Sequence, residues 1–300
     1  MTFRPMRSGD HLLLVDGSGL LWRGYHAHAK ITRRSDGHPV GAIAGFVDRL
    51  WSLLEEPALA RATHAAVVFD AGRRNWRHDI MDAYKSNRPA APDDIRCQFA
   101  PVRAACSALP IRMVELAGYE ADDLIATYAR RAVGVGAGVT VVTSDKDLMQ
   151  IVSDADDVRL FDPIKRSIIR DEQVFDRFGV PPGHVLDVLA ISGDTVDNIP
   201  GVPGIGDKGA TELVREFGSV EDILSAAAHG ASHKRVRRVA DHADLALMSR
   251  RLAALDAGAP ITVSLAHLER MPAAPESMAA FLREWDLAGL AARIMERSAA

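Results

Sequence analysis

The chain predicts an α/β fold on a parallel sheet, and three observations carry that prediction. LLLVD closing at Asp16, AAVVFD closing at Asp70 and VTVVTSD closing at Asp145 are apolar, β-branched runs without polar alternation, the pattern of strands covered on both faces. Helix-like segments lie between them, and strand, helix, strand in succession builds a parallel sheet. Each run also ends on an aspartate, and ligands of such sheets gather beyond the strand C-termini.

In order along the chain, the Asp16 strand leads through a Gly-rich turn to a helix from Gly41 to Leu54, then to the Asp70 strand and a polar, basic stretch from Arg73 to Arg88. Pro89, Pro92, Asp93 and Asp94 mark a helix start, continued by Ile95 to Leu109 and stopped by Pro110. IRMVEL is a short strand, GYEADD opens the helix LIATYARRA, and GVGAG is a loop before the Asp145 strand. DADD at 154–157 reads as solvated surface. From Val180 helices alternate with Gly and Pro turns, ending in helices at Met278 to Glu284 and Leu287 to Arg297. The change of texture places a boundary near residue 175, giving units 11–174 and 175–292.

With 300 residues, 48% hydrophobic and 25% charged, the chain is long enough for two packed domains. No apolar stretch approaches a membrane span and MTFRPMRSGD lacks the hydrophobic middle of a secretory signal, so the expected location is cytoplasmic with no membrane partner. Cys97 and Cys106 lie in a helix-like segment and read as structural. The net charge of −4 is not the basic balance usual for a nucleic-acid partner. Acids concentrated in one pocket change that reading, because two divalent cations there remove about four negative charges and leave the basic residues to face a partner, so composition does not exclude DNA.

The acids form such a set. Glu120, Asp122 and Asp123 stand where a helix begins, Asp147 follows Asp145 by two, and Asp194 and Asp197 are three apart, a spacing that could share one helical face. Glu120 and Asp123 can share a side of their helix, which leaves Asp122 before regular helix or pointing elsewhere. Singly, each acid reads as a turn-former or N-cap. Together with Asp16 and Asp70 they make an all-oxygen donor set with no His or Cys at ligand spacing, which favours Mg²⁺ or Mn²⁺, two or more ions held partly through water. Close pairs of carboxylates repel by about 4 kcal/mol at an intermediate dielectric, so something positive belongs among them.

Phosphates are the expected counterpart. RRNWRHDIMDAYKSNR interleaves Arg73, Arg74, Arg77, Lys85 and Arg88 with Trp76 and Tyr84, cations for a backbone and rings for unpaired bases. NIPGVPGIGDKGATELVREFG spells G-x-G-x-x-G at Gly204, Gly206 and Gly209, but a turn-rich approach rather than a strand precedes it. It reads instead as a glycine turn between helices, with Lys208 beside bare N–H groups that can grip a duplex phosphate. KRVRR at 234–238 reads as a wet helix face, with an unspecific duplex contact as the alternative.

Taken together, LLLVDGSGLLWRGYHA, VVFDAGRRNWRHD, YKSNR, GYEADDLIATYA, TSDKDLMQ and SGDTVDNIPGVPGIGDKGA resemble the 5′ nuclease domain of bacterial DNA polymerase I and its stand-alone and phage relatives, and more distantly flap endonucleases. The resemblance implies a PIN-like parallel-sheet nuclease core with a helical arch over residues 73–105, then a helical domain with a helix-hairpin-helix (H2TH/H3TH) motif. By position, Asp16, Asp70, Glu120 and Asp122 match the acids around a first metal, and Asp145, Asp147, Asp194 and Asp197 those around a second, with Asp123 in the same cluster. Arg23, Lys85 and Arg88 match cations on the scissile phosphate, and Tyr84 a ring near the unpaired nucleotide. Arg77 and the turn residues Gly201, Val202, Gly204, Ile205, Gly206 and Lys208 are expected on DNA, with K⁺ at the turn as in several members. Met149 stands where an aromatic residue is common.

The implied function is 5′-3′ exonuclease and flap endonuclease action on DNA with a 5′ flap, nick or single-stranded 5′ end, or on an RNA primer, in replication and repair, leaving a 5′ phosphate. No polymerase domain follows, so a stand-alone, monomeric, nucleoid-associated enzyme is expected. Two other classes compete. A Mg²⁺-dependent small-molecule phosphatase shares strand-end acids, but VDGSG has Ser18 where an aspartyl phosphatase needs its second acid. A non-catalytic junction binder would keep the glycine turn and lose acids, and none is missing.

Overall fold

The computed structural model describes residues 3–231, 233–272 and 274–299. Six strands form one sheet: β1 (His11–Asp16), β2 (His64–Val68), β3 (Arg112–Val114), β4 (Gly138–Val142), β5 (Val158–Asp162) and β6 (Ser167–Ile169). Their spatial order is β3-β2-β1-β4-β5-β6, with β1 to β5 parallel and β6 antiparallel to β5. The sequence reading lacked β5 and β6; both are short, and VRLFD follows the DADD surface turn too closely to stand out as a run. Asp16 sits opposite Val68, so the ends of β1 and β2 are level. The strand order reverses between β1 and β4, and there the β1 and β4 chain ends diverge to leave a crevice.

The unalternating runs bury both faces of the sheet. Leu12, Leu14, Val139 and Val141 join one core with the helix Ala121–Val133, while Leu13, Val15, Ala65 and Val67 join the other with the helix Gly41–Leu54. The first core runs without a break into the second half of the chain through Val174, Val185, Ile191, Ala210 and Val236. The last two helices, Pro275–Glu284 and Ala288–Ala299, return to the other face, where Met278, Leu282, Leu290 and Ile294 are buried with Ile43 and Leu50. The boundary near residue 175 therefore separates two textures of sequence, and the packing crosses it on both sides.

Three local expectations differ. Gly17 to Gly19 open a helix directly, Gly17–His28, because the Asp16 side chain caps it. The expected helix from Ile95 to Leu109 is split into Asp93–Arg96 and Phe99–Ser107, and the arch segment 73–105 otherwise contains only the short helix Arg77–Ile80 among turns. Cys106 is buried and its thiol is pushed up to about 12 by burial, whereas Cys97 is exposed. Among the described residues no helix is long and apolar enough to cross a membrane.

Candidate functional site

The strand-end acids meet at the crevice. Asp16 accepts from Gly19 N at 2.8 Å through one oxygen and from Thr143 Oγ1 at 3.1 Å through the other, which ties the end of β1 to the loop after β4. Asp70 accepts from Ala121 N at 2.9 Å and donates its own N–H to Ser18 Oγ at 3.1 Å, so the helix carrying Glu120 and Asp122 is pinned beside β2. Asp145 donates its N–H to Thr143 Oγ1 at 3.0 Å, and Asp147 N reaches Asp145 Oδ1 at 2.9 Å as a short 3-10 turn begins. SGDTVDN is a tight turn rather than the helix its spacing suggested. Gly193 ends the preceding helix at φ +77°, and Asp194 Oδ1 accepts from Val196 N at 2.7 Å and Asp197 N at 3.3 Å, a local bond that competes with helix.

Crowding shows in the ionisation of these groups. Burial, with Asp70 and Asp145 nearby, raises the Asp16 carboxyl to about 6 against the Gly19 N–H. Burial and Asp145 raise Asp147 to about 7, and burial with Asp145 and Asp16 raises Asp122 well above the ordinary range. Asp147 Oδ1 is buried without a hydrogen-bond partner. An unsatisfied buried carboxylate oxygen among mutually repelling acids fits a hydrated divalent cation, since Mg²⁺ prefers oxygen and keeps several waters. No three of these side chains, among the described residues, stand close enough to hold an ion directly.

Cations face the acids from the segment 84–88. Lys85 Nζ lies 2.6 Å from Glu120 Oε1 and 3.4 Å from Asp197 Oδ2, Arg88 pairs with Asp197, and Tyr84 Oη donates to Glu120 Oε2 at 3.0 Å. Lys85 N donates to Asp197 O at 2.9 Å and Asn198 Nδ2 to Ala83 O at 2.6 Å, so this foot of the arch is stitched to the Asp194 turn. Arg23 reaches Ser144 across the crevice. Two clefts meet at Trp22 and Arg88: one of about 420 Å³ among Asp16, Asp145, Asp147 and Asp197, the other of about 590 Å³ under the arch segment, walled by Phe69, Tyr84, Phe99 and Arg103.

Five side chains expected at the metals or on DNA turn inward instead. Asp123, placed by sequence with the metal acids, is fully buried and both its oxygens accept from Arg77 at 2.8 Å, because the capping geometry of the helix start points it away from Asp122. Arg77, expected on DNA, is 2% exposed and is that acid's partner. Val202 and Ile205 are buried side chains that anchor the glycine turn, leaving Gly204, Gly206 and Lys208 outward. Tyr84 is buried too, although it lines the cleft under the arch segment. The turn itself adopts φ +76° at Gly204, and a Cβ there would meet the Arg238 guanidinium. The helix Asp207–Phe217 follows with no strand before the turn, which removes the dinucleotide reading.

Sequence profiles of the 5′-3′ exonuclease family match this chain over residues 11–179, the N-terminal resolvase-like domain, and 180–276, the C-terminal SAM fold. The chain belongs to the 5′-3′ exonuclease family. Within that family's neighbourhood it is 41% identical over 295 residues to DNA polymerase I of Rhizobium leguminosarum, covering 97% of this chain and 29% of that protein. It is 38% identical over 213 residues to the 5′-3′ exonuclease of Aquifex aeolicus (strain VF5), covering 71% of this chain and 72% of that one. The chain thus spans about a third of the length of the polymerase relatives it matches. A T5 5′-exonuclease structure with divalent metal ions (zinc) bound has a similar fold, TM-score 0.70 at 22% identity over 95% of this chain and 98% of that one. The catalytic core of Rad2 in complex with DNA substrate aligns at TM-score 0.63 and 14% identity over 98% and 95%. The expected architecture, a PIN-like parallel-sheet core followed by helices, is the one this 5′-3′ exonuclease family chain has.

Sequence reasoning missed four contributors to the site. Lys146 Nζ lies 2.7 Å from Asp194 Oδ2, and its place between Asp145 and Asp147 was a readable signal. Thr143 donates to the Asp16 carboxylate and Ser18 accepts the backbone N–H of Asp70, roles for which residue type offers no signal. Arg238, from the run read as a wet helix face, lies over Gly204.

Proposed function

We propose that this chain is a divalent-metal-dependent 5′-3′ exonuclease and flap endonuclease that hydrolyses phosphodiesters where a single strand meets a duplex. The observation that supports the reading is that Asp16, Asp145, Asp147, Asp194 and Asp197 line one cleft and Asp70 and Glu120 the cleft adjoining it, with Asp122 close enough to Asp16 and Asp145 to feel their charge, and Lys85, Arg88 and Arg23 facing them. Asp16, Asp70, Glu120 and Asp122 would hold one ion and Asp145, Asp147, Asp194 and Asp197 a second, Mg²⁺ or Mn²⁺ by donor chemistry. Such ions make water nucleophilic at neutral pH and offset charge on the phosphate and its leaving oxygen. Lys85 and Arg88, held at the acids by the stitched foot of the arch, are placed to bind and orient the phosphate as preorganised cations. The cleft under the arch segment receives the unpaired 5′ strand, and Gly204, Gly206 and Lys208, with K⁺ at the turn, hold the duplex arm.

The same reading makes the enzyme a monomer acting at the nucleoid on DNA flaps and nicks, with RNA primers as further substrates and replication and repair as its setting. Ser18 supports it against an aspartyl phosphatase, since its hydroxyl accepts the backbone N–H of Asp70. The test is one assay: labelled flap, nicked and single-stranded DNA incubated with Mg²⁺, Mn²⁺ or chelator. Metal-stimulated release of 5′-phosphorylated fragments from the flap is expected. Hydrolysis of free nucleotides alone, or flap binding without cutting, overturns it.

A further inference from the structure

We propose that the buried Arg77–Asp123 pair is a positioning strut that fixes the helical, duplex-holding part of the molecule against the acidic cleft and thereby sets how far from the junction a strand is cut. The inference rests on the nuclease reading above for the word cut; the strut itself rests on contacts alone.

Arg77 is 2% exposed and Asp123 0%, yet both belong to segments that border the cleft. The guanidinium makes parallel 2.8 Å bonds to the two Asp123 oxygens, and its Nη1 lies 3.4 Å from Glu120 Oε2. Its remaining donors cross to the second half of the chain, Nε to Leu252 O at 2.8 Å and Nη2 to Ala254 O at 2.7 Å. Asp123 repeats the crossing: its Oδ1 accepts from Asp256 N at 2.9 Å, while Oδ2 accepts from Trp76 Nε1 at 3.1 Å and Glu120 N at 3.2 Å. One ion pair thus joins the root of the arch, the start of the helix that carries Glu120 and Asp122, and the chain leaving the helix Ala243–Ala253.

That last helix reaches the glycine turn. Ser249 Oγ donates to Pro200 O at 2.5 Å, and Arg250 Nε to the buried Asp187 at 3.0 Å. Met248, Leu252 and Ala253 pack against Ile80, Met81 and Tyr84 of the arch root. A continuous set of bonds therefore runs from the turn at 200–206, along one helix, to Glu120. An apolar contact would hold these parts together without fixing their angle, whereas a planar guanidinium with four directed hydrogen bonds to two elements fixes direction and register. Removing two charges from water is costly, so a buried pair is better explained by the arrangement it specifies than by stability. Positional tolerance at a reacting phosphate is small, about 1 Å for a 10²-fold loss.

The test compares Arg77→Lys and the double variant Arg77→Met with Asp123→Leu, which exchanges the ion pair for apolar side chains and leaves no unpaired buried charge. Melting temperature, duplex affinity, flap-product length at single-nucleotide resolution and amide hydrogen exchange over 252–256 are measured for each. In both variants duplex affinity stays near wild type while turnover falls about tenfold or more and cutting spreads over neighbouring positions. Exchange over 252–256 accelerates about tenfold. A merely structural role moves the melting temperature and not the product length. Should the double variant fail to fold, Arg77→Lys, which keeps the charge and loses the fork, decides. Wild-type cutting position with unchanged exchange in a folded variant overturns the proposal. If the wild-type protein itself cuts no flap, the nuclease reading fails, and the exchange rates still rule on the strut.

Discussion

Asp16, Asp122 and Asp147 hold their protons more tightly in the folded chain than an exposed carboxylate does, and that single fact yields two predictions. For an acid raised by folding, the stabilisation is complete below the ordinary carboxylate range and is lost as pH rises through the folded value. With Asp16 at about 6 and Asp147 at about 7, the metal-free protein loses stability between about pH 4 and pH 7. Asp194 works the other way: burial raises it, but Lys146 and two N–H groups outweigh burial and hold it low, so its contribution is lost only as pH falls below that range. Divalent ions offset the repulsion, so the increase in melting temperature on adding Mg²⁺ grows from pH 5.5 to pH 7.5, roughly the interval in which these acids ionise. Melting curves across that interval with Mg²⁺ and with chelator check it; an Mg²⁺ increment independent of pH counts against an ion among these acids. Asp147→Asn removes one repelling charge at the unsatisfied oxygen. It is expected to raise the metal-free melting temperature, about 2–4 °C for each kcal/mol relieved, while lowering metal-stimulated cutting about 10²-fold or more. At this scale the sequence was legible for residue type and not for direction. The eight proposed metal acids were visible from their strand-end and helix-start positions. Asp123 was not separable from Asp122, because which of two adjacent acids faces a cleft depends on the capping bond that Asp123 makes with Glu120 N.

The elements that carry the basic side of the site are turns, and turns explain why part of it was unreadable. Lys85 has φ +52°, a left-handed backbone that a non-glycine residue occupies at a cost of about 1–2 kcal/mol. The surrounding bonds enforce it: Lys85 N to Asp197 O, Asn87 Nδ2 to Thr195 O, and Asn198 Nδ2 to Ala83 O. Glycine would be easier there, so the side chain explains why lysine stands in the position. Lys85→Gly relieves that strain but strips Glu120 of its nearest cation, so it is expected to fold with a melting temperature no higher than the parent's and to bind duplex DNA alike, while turnover falls about 10²-fold. Equal losses in turnover and affinity would assign Lys85 to binding instead. Gly204 is the reverse case, since its φ of +76° strains any side chain and the Arg238 guanidinium over it would have to swing aside. Gly204→Val is expected to weaken duplex binding about tenfold and leave cleavage of single-stranded ends little changed, as seen by titrating labelled duplex and assaying both substrates. From sequence, the glycine spacing revealed the turn. The position of KRVRR against it was not readable, because only packing of Val236 and Val239 turns Arg238 toward Gly204.

In the whole molecule, the parallel sheet was legible because its strands are buried on both faces and carry no competing period. Strand order was not, since it depends on partners far apart in sequence, and the β5–β6 hairpin was missed because both strands are short. The least legible feature is the return of the last two helices. Their apolar positions announce amphipathic helices, and the sequence assigned them to the second unit, yet Met278, Leu282, Leu287, Leu290 and Ile294 close the core formed by Leu13, Ile43, Leu50 and Val67, on the face of the sheet that the other second-half helices leave to Gly41–Leu54. The family profile ends at residue 276, just inside the first of these helices, so a fragment cut to that limit would expose this core. Five large buried side chains at about 1.5–3 kcal/mol each contribute roughly 8–15 kcal/mol of gross burial, which equals the whole net stability of an ordinary domain. A chain ending at residue 276 is therefore expected to lose its cooperative thermal transition and to aggregate, although every proposed metal acid, the arch and the glycine turn lie before that point. Circular dichroism melting and size-exclusion chromatography of the truncated and full chains check this. A truncated chain that melts cooperatively within a few degrees of the full one would show that the two helices merely lie on the sheet layer, and that Gly41–Leu54 can cover β1 and β2 without them.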